Sequence, residues 1–598
     1  MTDSKVTEIP AETAPAPAPE PAPPTLLAWP ARRPFALLAL LGLLLWLPGV
    51  LSLPPLDRDE SRFAQASRQM VESGNWVDIR FGHVPRYKKP AGIYWLQAVA
   101  TEVAGPLLNQ GRDDRIWTYR LPSLLGGIAA AWLTVWCALA VAGAEAALLA
   151  GLLMLGGVLL TAEATIATTD AVLLACVLGV QGVLLRLYRA ARDPEAPKPR
   201  TRTVMWGWAA IAFGILIKFP MVPGVAIATI IGLTAWDWWE RRRATPAEGD
   251  AASSEPVWAW LGGLRPIRGL LLVLLLILPW LIAITIQSQG AFFEESLGND
   301  FAAKIAGGQE SHGGWPGYYL LASAVGLWPA ILFVLPGIAL GITRRAEAPI
   351  RFLLAWAASW WLVVEAVPTK LPHYVLSAYP ALAILAALFV LDPRPARFLT
   401  AARWIAIAQF AVGAALLTAA IILAPLYFGG GLWWPVLAAA GLGAALALAA
   451  LILAIRHKSL PAVLLGLAAL LVFVPTLTVG VGPRLDQLWI TERLKPMVDA
   501  AAKPGDPPPA LAGYEEPSML FALGKDVVLT DGKGAAETSA KSGGLALVED
   551  SERGDFLARL AELQADTTPL GELSGINYSR GKRVHVTLYR VAQLRELN

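Results

Sequence analysis

Long apolar stretches recur along most of the chain, separated by short polar connections. They lie at 34–53, 118–141, 144–162, 169–189, 204–219, 221–238, 268–287, 318–341, 350–366, 374–391, 402–426, 433–455 and 460–481, thirteen candidate spans. About 20 helical residues cross the roughly 30 Å hydrocarbon core of a bilayer, so the pattern predicts an all-α polytopic membrane protein with about 13 transmembrane helices. A further stretch, "AGIYWLQAVATEVAGPLL" at 91–108, is short and carries Glu102.

The basic residues give this pattern a direction. With Arg32 and Arg33 in the cytoplasm and 91–108 not crossing, the Arg/Lys-rich connections 189–202, 239–267, 342–351, 392–403 and 456–458 all fall inside, as the positive-inside rule requires. Segment 91–108 is therefore expected to lie along the interface as a juxtamembrane helix, with Tyr94 and Trp95 at headgroup depth. Residues 54–117 and 288–317 become large external loops, and the tail from 483 to 598 is external as well.

Composition agrees: 56% of the 598 residues are hydrophobic and only 16% charged, against about 25% charged in soluble domains; mean hydropathy is +0.52. The net charge of +3 is divided by side of the membrane, and no nucleic-acid partner is expected. Cys137 and Cys176 both lie in apolar stretches, which argues for small lipid-buried residues rather than a disulfide or metal framework. Residues 1–30 include "PAPAPEPAPP" and read as a disordered cytoplasmic tail; residues 31–482 form the membrane domain, its first apolar segment serving as an uncleaved anchor. In 483–598, strand-like "PALAGY", "KDVVLT", "GLALVE" and "RVHVTLYRV" and helix-like "PSMLFAL" and "ERGDFLARLAELQ" predict a small α/β domain suited to capping or partner recognition.

With this topology, polar groups from separate segments collect on the outer side. They are Asp57, Asp59, Glu60 and Arg62 after the first span, Arg86, Lys88 and Lys89 before the interfacial helix, Asp170 at the start of the fourth span, Lys218 at the end of the fifth, and Lys370, His373 and Tyr374 in "TKLPHYVL". Each has an ordinary reading: snorkelling for Lys218 and Lys370, a helix cap for Asp170, a solvated loop acid for Asp59, headgroup contact for Lys88 and Lys89. Ionisable groups at bilayer depth nevertheless tend to mark function. Together, lysines that neutralise a phosphate leaving group and a carboxylate that takes the proton of an incoming hydroxyl suit group transfer from a phosphate.

Taken in order, the motifs resemble a known pattern. "DRDESRFAQASRQMVESGNWVDIRFGHVPRYKKPAGIYW" (57–95), "LIKFPMVPG", "ESHGGWPGYY" (310–319) and "TKLPHYVLSAYPAL" (369–382) resemble bacterial GT-C glycosyltransferases that use polyprenyl-phosphate sugars. Lipid A aminoarabinose and galacturonosyl transferases are the nearer likeness and protein O-mannosyltransferases the more distant one, over about residues 34–395. The resemblance implies a multi-pass enzyme of the bacterial inner membrane with its active site and C-terminal domain in the periplasm. It would move a single sugar from an undecaprenyl-phosphate-type carrier to a hydroxyl or phosphate of lipid A or a related envelope glycan, a protein acceptor being the other option, with inversion. Asp59 would be the base, Lys89 would hold the donor phosphate with Arg62, and Asp170 would be a second carboxylate. Lys218 and Lys370 would be further phosphate contacts, and Glu60, Tyr87, Lys88, His373 and Tyr374 would contact substrate.

The aminoarabinose enzymes commonly have Glu where this chain has Lys88, which would repel a cationic sugar; an acidic sugar is the better electrostatic match, with a neutral hexose open. No cofactor is assigned, although Asp59, Glu60 and Asp170 could offer oxygen ligands to a divalent cation. The rival readings are a secondary transporter or flippase of lipid-linked glycan, against which the absence of an internal repeat counts, and a polysaccharide polymerase or ligase.

Overall fold

The structure, a computed structural model, describes residues 26–108, 114–243, 256–296, 298, 314–392 and 400–594. The predicted tail at 1–30 lies outside the described residues except for its last five, as does most of the second loop at 288–317.

Every predicted span falls on helix, but not every one of these helices is by itself long and apolar enough for a crossing. Among the described residues nine helices are long and apolar enough to cross a membrane, ten if the pair Ala144–Leu155 and Val158–Thr165, bent by 60°, forms one span. The shortfall has local causes. The predicted 318–341 span divides into Tyr318–Gly326 and Ile331–Thr343, while Thr201–Lys218 and Ala348–Ala366 carry charged residues along or at the ends of their apolar runs. Helix faces such as Leu271, Leu275 and Ile282 are more than half exposed, the expected arrangement where lipid tails replace water as the apolar solvent.

Two clusters of charge lie at opposite ends of this bundle. Asp237 accepts from Tyr188 Oη and Arg351 Nη1, both at 2.8 Å, and pairs with Arg192, joining helices Asp170–Ala190, Met221–Arg243 and Ala348–Ala366. Asp170 opens the first of these helices, 18 residues before Tyr188, which is about 27 Å along its axis at about 1.5 Å per residue.

The segments that carry the Asp170 end are built by clear local rules. Helix Pro34–Ser52 stops at Leu53, whose extended backbone suits the following Pro54. Helix Asp59–Ser73 begins after Arg58, at φ 66°, carries Asp59 and Glu60 in its first turn where the helix dipole favours anions, and ends at left-handed Gly74. A hairpin pairs Arg80–Phe81 with Val84–Pro85. Helix Gly92–Leu108 coincides with the predicted juxtamembrane helix; it buries Tyr94, Gln97, Ala98 and Thr101 and exposes Val99, Val103, Leu107 and Leu108. A side chain at Gly92 would come within 2.8 Å of the Leu216 carbonyl oxygen, so only glycine lets this helix seat against the end of Thr201–Lys218.

Beyond residue 483 a five-stranded sheet has the order Val528–Thr530, Ala510–Ala512, Gly544–Glu549, Lys582–Val591, Thr567–Asn577. The first three strands are parallel and the last two join antiparallel. Strand Thr567–Asn577 was not legible because as an edge strand it is mostly exposed and is interrupted by a register shift between Pro569 and Gly571.

Candidate active site

The chain leaving the first span reads "PPLDRDES", and its acids take different roles within four residues. Glu60 is almost fully buried and turns inward. Its Oε1 accepts from Arg120 Nε at 2.7 Å and from the Ala167 amide at 2.7 Å; its Oε2 accepts from Arg120 Nη2 at 2.9 Å and from the Leu56 amide at 2.8 Å. Arg120 is also fully buried, and gives its remaining donors to the carbonyls of Val50, Leu53 and Pro54. This pair knots the end of the first helix, the start of Asp59–Ser73 and the chain before Asp170. Glu60 also borders the cavity that Asp59 lines, and its four protein donors make it an anchor of this turn.

Asp59, one residue earlier, points the other way. Its side chain is 71% exposed and lies 3.7 Å from Arg62 Nη1. It lines a cavity of about 540 Å³ together with Arg62, Arg86, Lys88, Lys89, Asp170, Lys218, His373 and Tyr374. Five separated stretches therefore meet in one space, and Asp59 and Lys89 share it. Asp170 accepts from Lys218 Nζ at 2.8 Å through Oδ1 and from the Thr169 hydroxyl at 2.8 Å through Oδ2. The Lys218 ammonium also lies 5.6 Å from the Tyr374 ring centre.

Two predicted residues stand outside the cavity, and chain geometry explains both. Lys370 is buried and donates to the carbonyls of Val364 at 3.0 Å and Glu365 at 2.5 Å, closing the C-terminal end of helix Ala348–Ala366. Its neighbours Thr369 and Leu371 line the cavity, since successive side chains of an extended segment face opposite ways. In the turn that follows strand Val84–Pro85, Arg86, Lys88 and Lys89 face the cavity while Tyr87 is turned away, its hydroxyl donating to Asp78 Oδ1 at 2.8 Å. Burial and that bond push the Tyr87 phenol up to about 12.

Glu163 was missed in the sequence, as was Arg120. Glu163 lines the cavity beside His373, whose Nδ1 is 3.7 Å from Oε1, and it accepts from the Thr168 hydroxyl at 2.8 Å. Both residues carried a signal: an ionisable side chain within an apolar run. Glu295 also lines the cavity.

The metal candidates Asp59, Glu60 and Asp170 do not make a ligand set. Glu60 is saturated, both oxygens of Asp170 are engaged, and among the described residues no group of three or more His, Cys, Asp or Glu side chains is arranged to hold an ion.

Residues 53–290 match the family model described as dolichyl-phosphate-mannose-protein mannosyltransferase. The undecaprenyl phosphate-alpha-4-amino-4-deoxy-L-arabinose arabinosyl transferase of Yersinia pestis (strain Pestoides F) is 25% identical over 360 residues, 60% of this chain and 59% of that protein. The protein of the same name from Pectobacterium carotovorum is 24% identical over 407 residues, 66% of each chain. The chain thus matches somewhat less than two thirds of the Yersinia protein's length. The crystal structure of ArnT from Cupriavidus metallidurans bound to undecaprenyl phosphate superposes with a TM-score of 0.69 over 94% of this chain and 98% of that one, at 19% identity. This multi-pass membrane protein therefore has the ArnT-like GT-C fold, and in sequence it resembles the aminoarabinose transferases and, more distantly, the protein mannosyltransferases.

Proposed function

We infer that the protein is a membrane glycosyltransferase that moves one sugar from an undecaprenyl-phosphate-type carrier to an envelope acceptor, lipid A or a related glycan, with inversion. The observation that carries this reading is the shared cavity, where a carboxylate at Asp59 and cations at Arg62, Lys88 and Lys89 line one space at the end of the helix bundle. A phosphate attached to a membrane-embedded tail and a polar acceptor need such a place to meet.

The chemistry follows from these side chains. The acceptor oxygen attacks the anomeric carbon from the face opposite the phosphate, and its proton passes to the Asp59 carboxylate. The bond between the anomeric carbon and the phosphate oxygen breaks, its electron pair leaving with the phosphate. Lys89 and Arg62 stabilise the charge that develops there. A positioned base contributes about 10²- to 10⁴-fold, and preorganised cations stabilise a leaving group without having to reorganise. Asp170 and Lys218, held to each other, line the wall beside Tyr374.

In the same reading the N-terminus is cytoplasmic and the cavity and C-terminal domain face the periplasm of a bacterial inner membrane. The basic connections support this: Arg192, Arg241, Arg242, Arg243, Arg344 and Arg345 all lie in connections or helix ends on the Asp237 side, away from the cavity.

The test is mass spectrometry of lipid A and envelope glycans from cells with the wild-type protein, with Asp59→Asn, with Lys89→Ala and with none. The reading expects one sugar's mass to be added by the wild type and lost in both variants at normal membrane abundance. Transfer that persists in both variants would refute it, as would wild-type cells that show no glycosylated product.

A further inference from the structure

The C-terminal domain touches the chain just before Asp59 at three points. The Asp57 amide donates to the Tyr578 hydroxyl at 2.6 Å, the Ser518 hydroxyl donates to Asp57 Oδ1, and Arg58 donates to the Ser579 carbonyl. Arg58 holds φ at 66°, a left-handed conformation that a non-glycine residue keeps only when its surroundings enforce it. That residue immediately precedes the helix whose first residue is Asp59.

The same domain also packs on the framework of the cavity. Phe521, almost fully buried, meets the Tyr119 ring edge-on at a centroid distance of 5.6 Å and clusters with Ala64, Ile116 and Ala167. Tyr119 adjoins Arg120, and Ala167 supplies one of the amides that hold Glu60. The domain therefore grips the Asp59 turn from outside and supports its anchor from within.

We propose that the C-terminal domain completes the catalytic site, with Tyr578 as the positioning residue that, with Ser518, sets the Asp57–Asp59 turn and thereby aims the Asp59 carboxylate. This goes beyond a cap or docking module and rests on the transferase reading for its kinetic consequence, though not for its structural one. The phenol oxygen fixes the backbone of residue 57, and the Ser518 hydroxyl fixes its side chain. With the turn restrained at both points, the helix start holds its register against the cavity; without them Arg58 relaxes toward an ordinary φ, and Asp59 swings with it.

The test uses the full-length protein in nanodiscs, comparing Tyr578→Phe, Ser518→Ala and Ser518→Thr. Tyr578→Phe keeps the ring against Trp489, 6.3 Å away between centroids, and removes only the hydroxyl. Hydrogen–deuterium exchange is read over residues 54–66. Turnover is read with undecaprenyl-phosphate carriers bearing galacturonate, a hexose or aminoarabinose, using whichever the wild type accepts. Tyr578→Phe and Ser518→Ala are expected to speed exchange in that segment and to lower kcat about ten-fold, the loss of roughly one hydrogen bond's worth of preorganisation, while KM for the carrier stays within two-fold of wild type. Ser518→Thr, which keeps the hydroxyl, is expected to restore both. Wild-type exchange and kcat in Tyr578→Phe would overturn the proposal, and so would a change confined to KM. If the wild type turns over none of the carriers while Tyr578→Phe still loosens residues 54–66, the transferase reading fails and the positional role of the domain stands.

Discussion

Removing Arg120 should be the most damaging single change away from the cavity surface. Its guanidinium makes five hydrogen bonds, two to Glu60 and three to the carbonyls of Val50, Leu53 and Pro54. Arg120→Met replaces it with an apolar side chain of similar length, so the loss is mainly electrostatic. The Glu60 side chain is only 1% exposed and would keep a buried charge with two amide donors and no cation. Breaking a buried pair by removing one partner costs about 3–5 kcal/mol, whereas replacing both with apolar groups is often close to neutral. The double variant Glu60→Leu/Arg120→Met should therefore recover much of the loss, limited by the carbonyls and the Leu56 and Ala167 amides that lose their partners, at about 1–3 kcal/mol for each left unsatisfied. Unfolding in mixed micelles with increasing SDS, read for the four corners of the cycle, measures this coupling. A single Arg120→Met loss below about 1 kcal/mol, or a double variant equal to the sum of the singles, would refute the account of Glu60 as an anchor.

Three further outcomes follow from the geometry. Lys370→Met should leave binding of undecaprenyl phosphate within two-fold of wild type while lowering thermal stability, because its ammonium closes a helix end; Lys89→Met should weaken that binding, and titration by microscale thermophoresis separates the two. Lys88→Glu should shift turnover toward the aminoarabinose carrier and away from the galacturonate carrier, in a competition assay read by mass spectrometry, since it reverses a charge on the cavity wall. Burial pushes the Asp57 carboxyl up to about 7, with Glu516 adding to the rise and the Ser518 and Tyr578 bonds opposing it. Its folded pKa lies above the ordinary 3.8, so between about pH 4 and 7 the docked state holds a proton that the undocked turn has lost. Docking should therefore strengthen as pH falls from 8 to 5 and level off below about 4. Thermal unfolding of wild type against Asp57→Asn checks this, and an unchanged slope in the variant would contradict it.

The solvent this chain folds in, and the polar segments that gather around one cavity, could be read from the residues alone. Apolar run length reports the need to satisfy every backbone group inside a helix when no water is present, and it is a property of contiguous residues. The order of the four motifs was legible for the same reason. Period-two alternation was also within reach at one place, where it distinguishes Thr369 and Leu371 from Lys370. The roles of Asp59 and Glu60 were not legible. They are adjacent acids in one helical turn, and what separates them is a guanidinium 60 residues away that meets only Glu60. Nor could composition tell that a tail more than 450 residues downstream hydrogen-bonds the turn before Asp59. A charged group's role is set by which partner reaches it after desolvation, and that partner is chosen by tertiary packing, not by its neighbours along the chain.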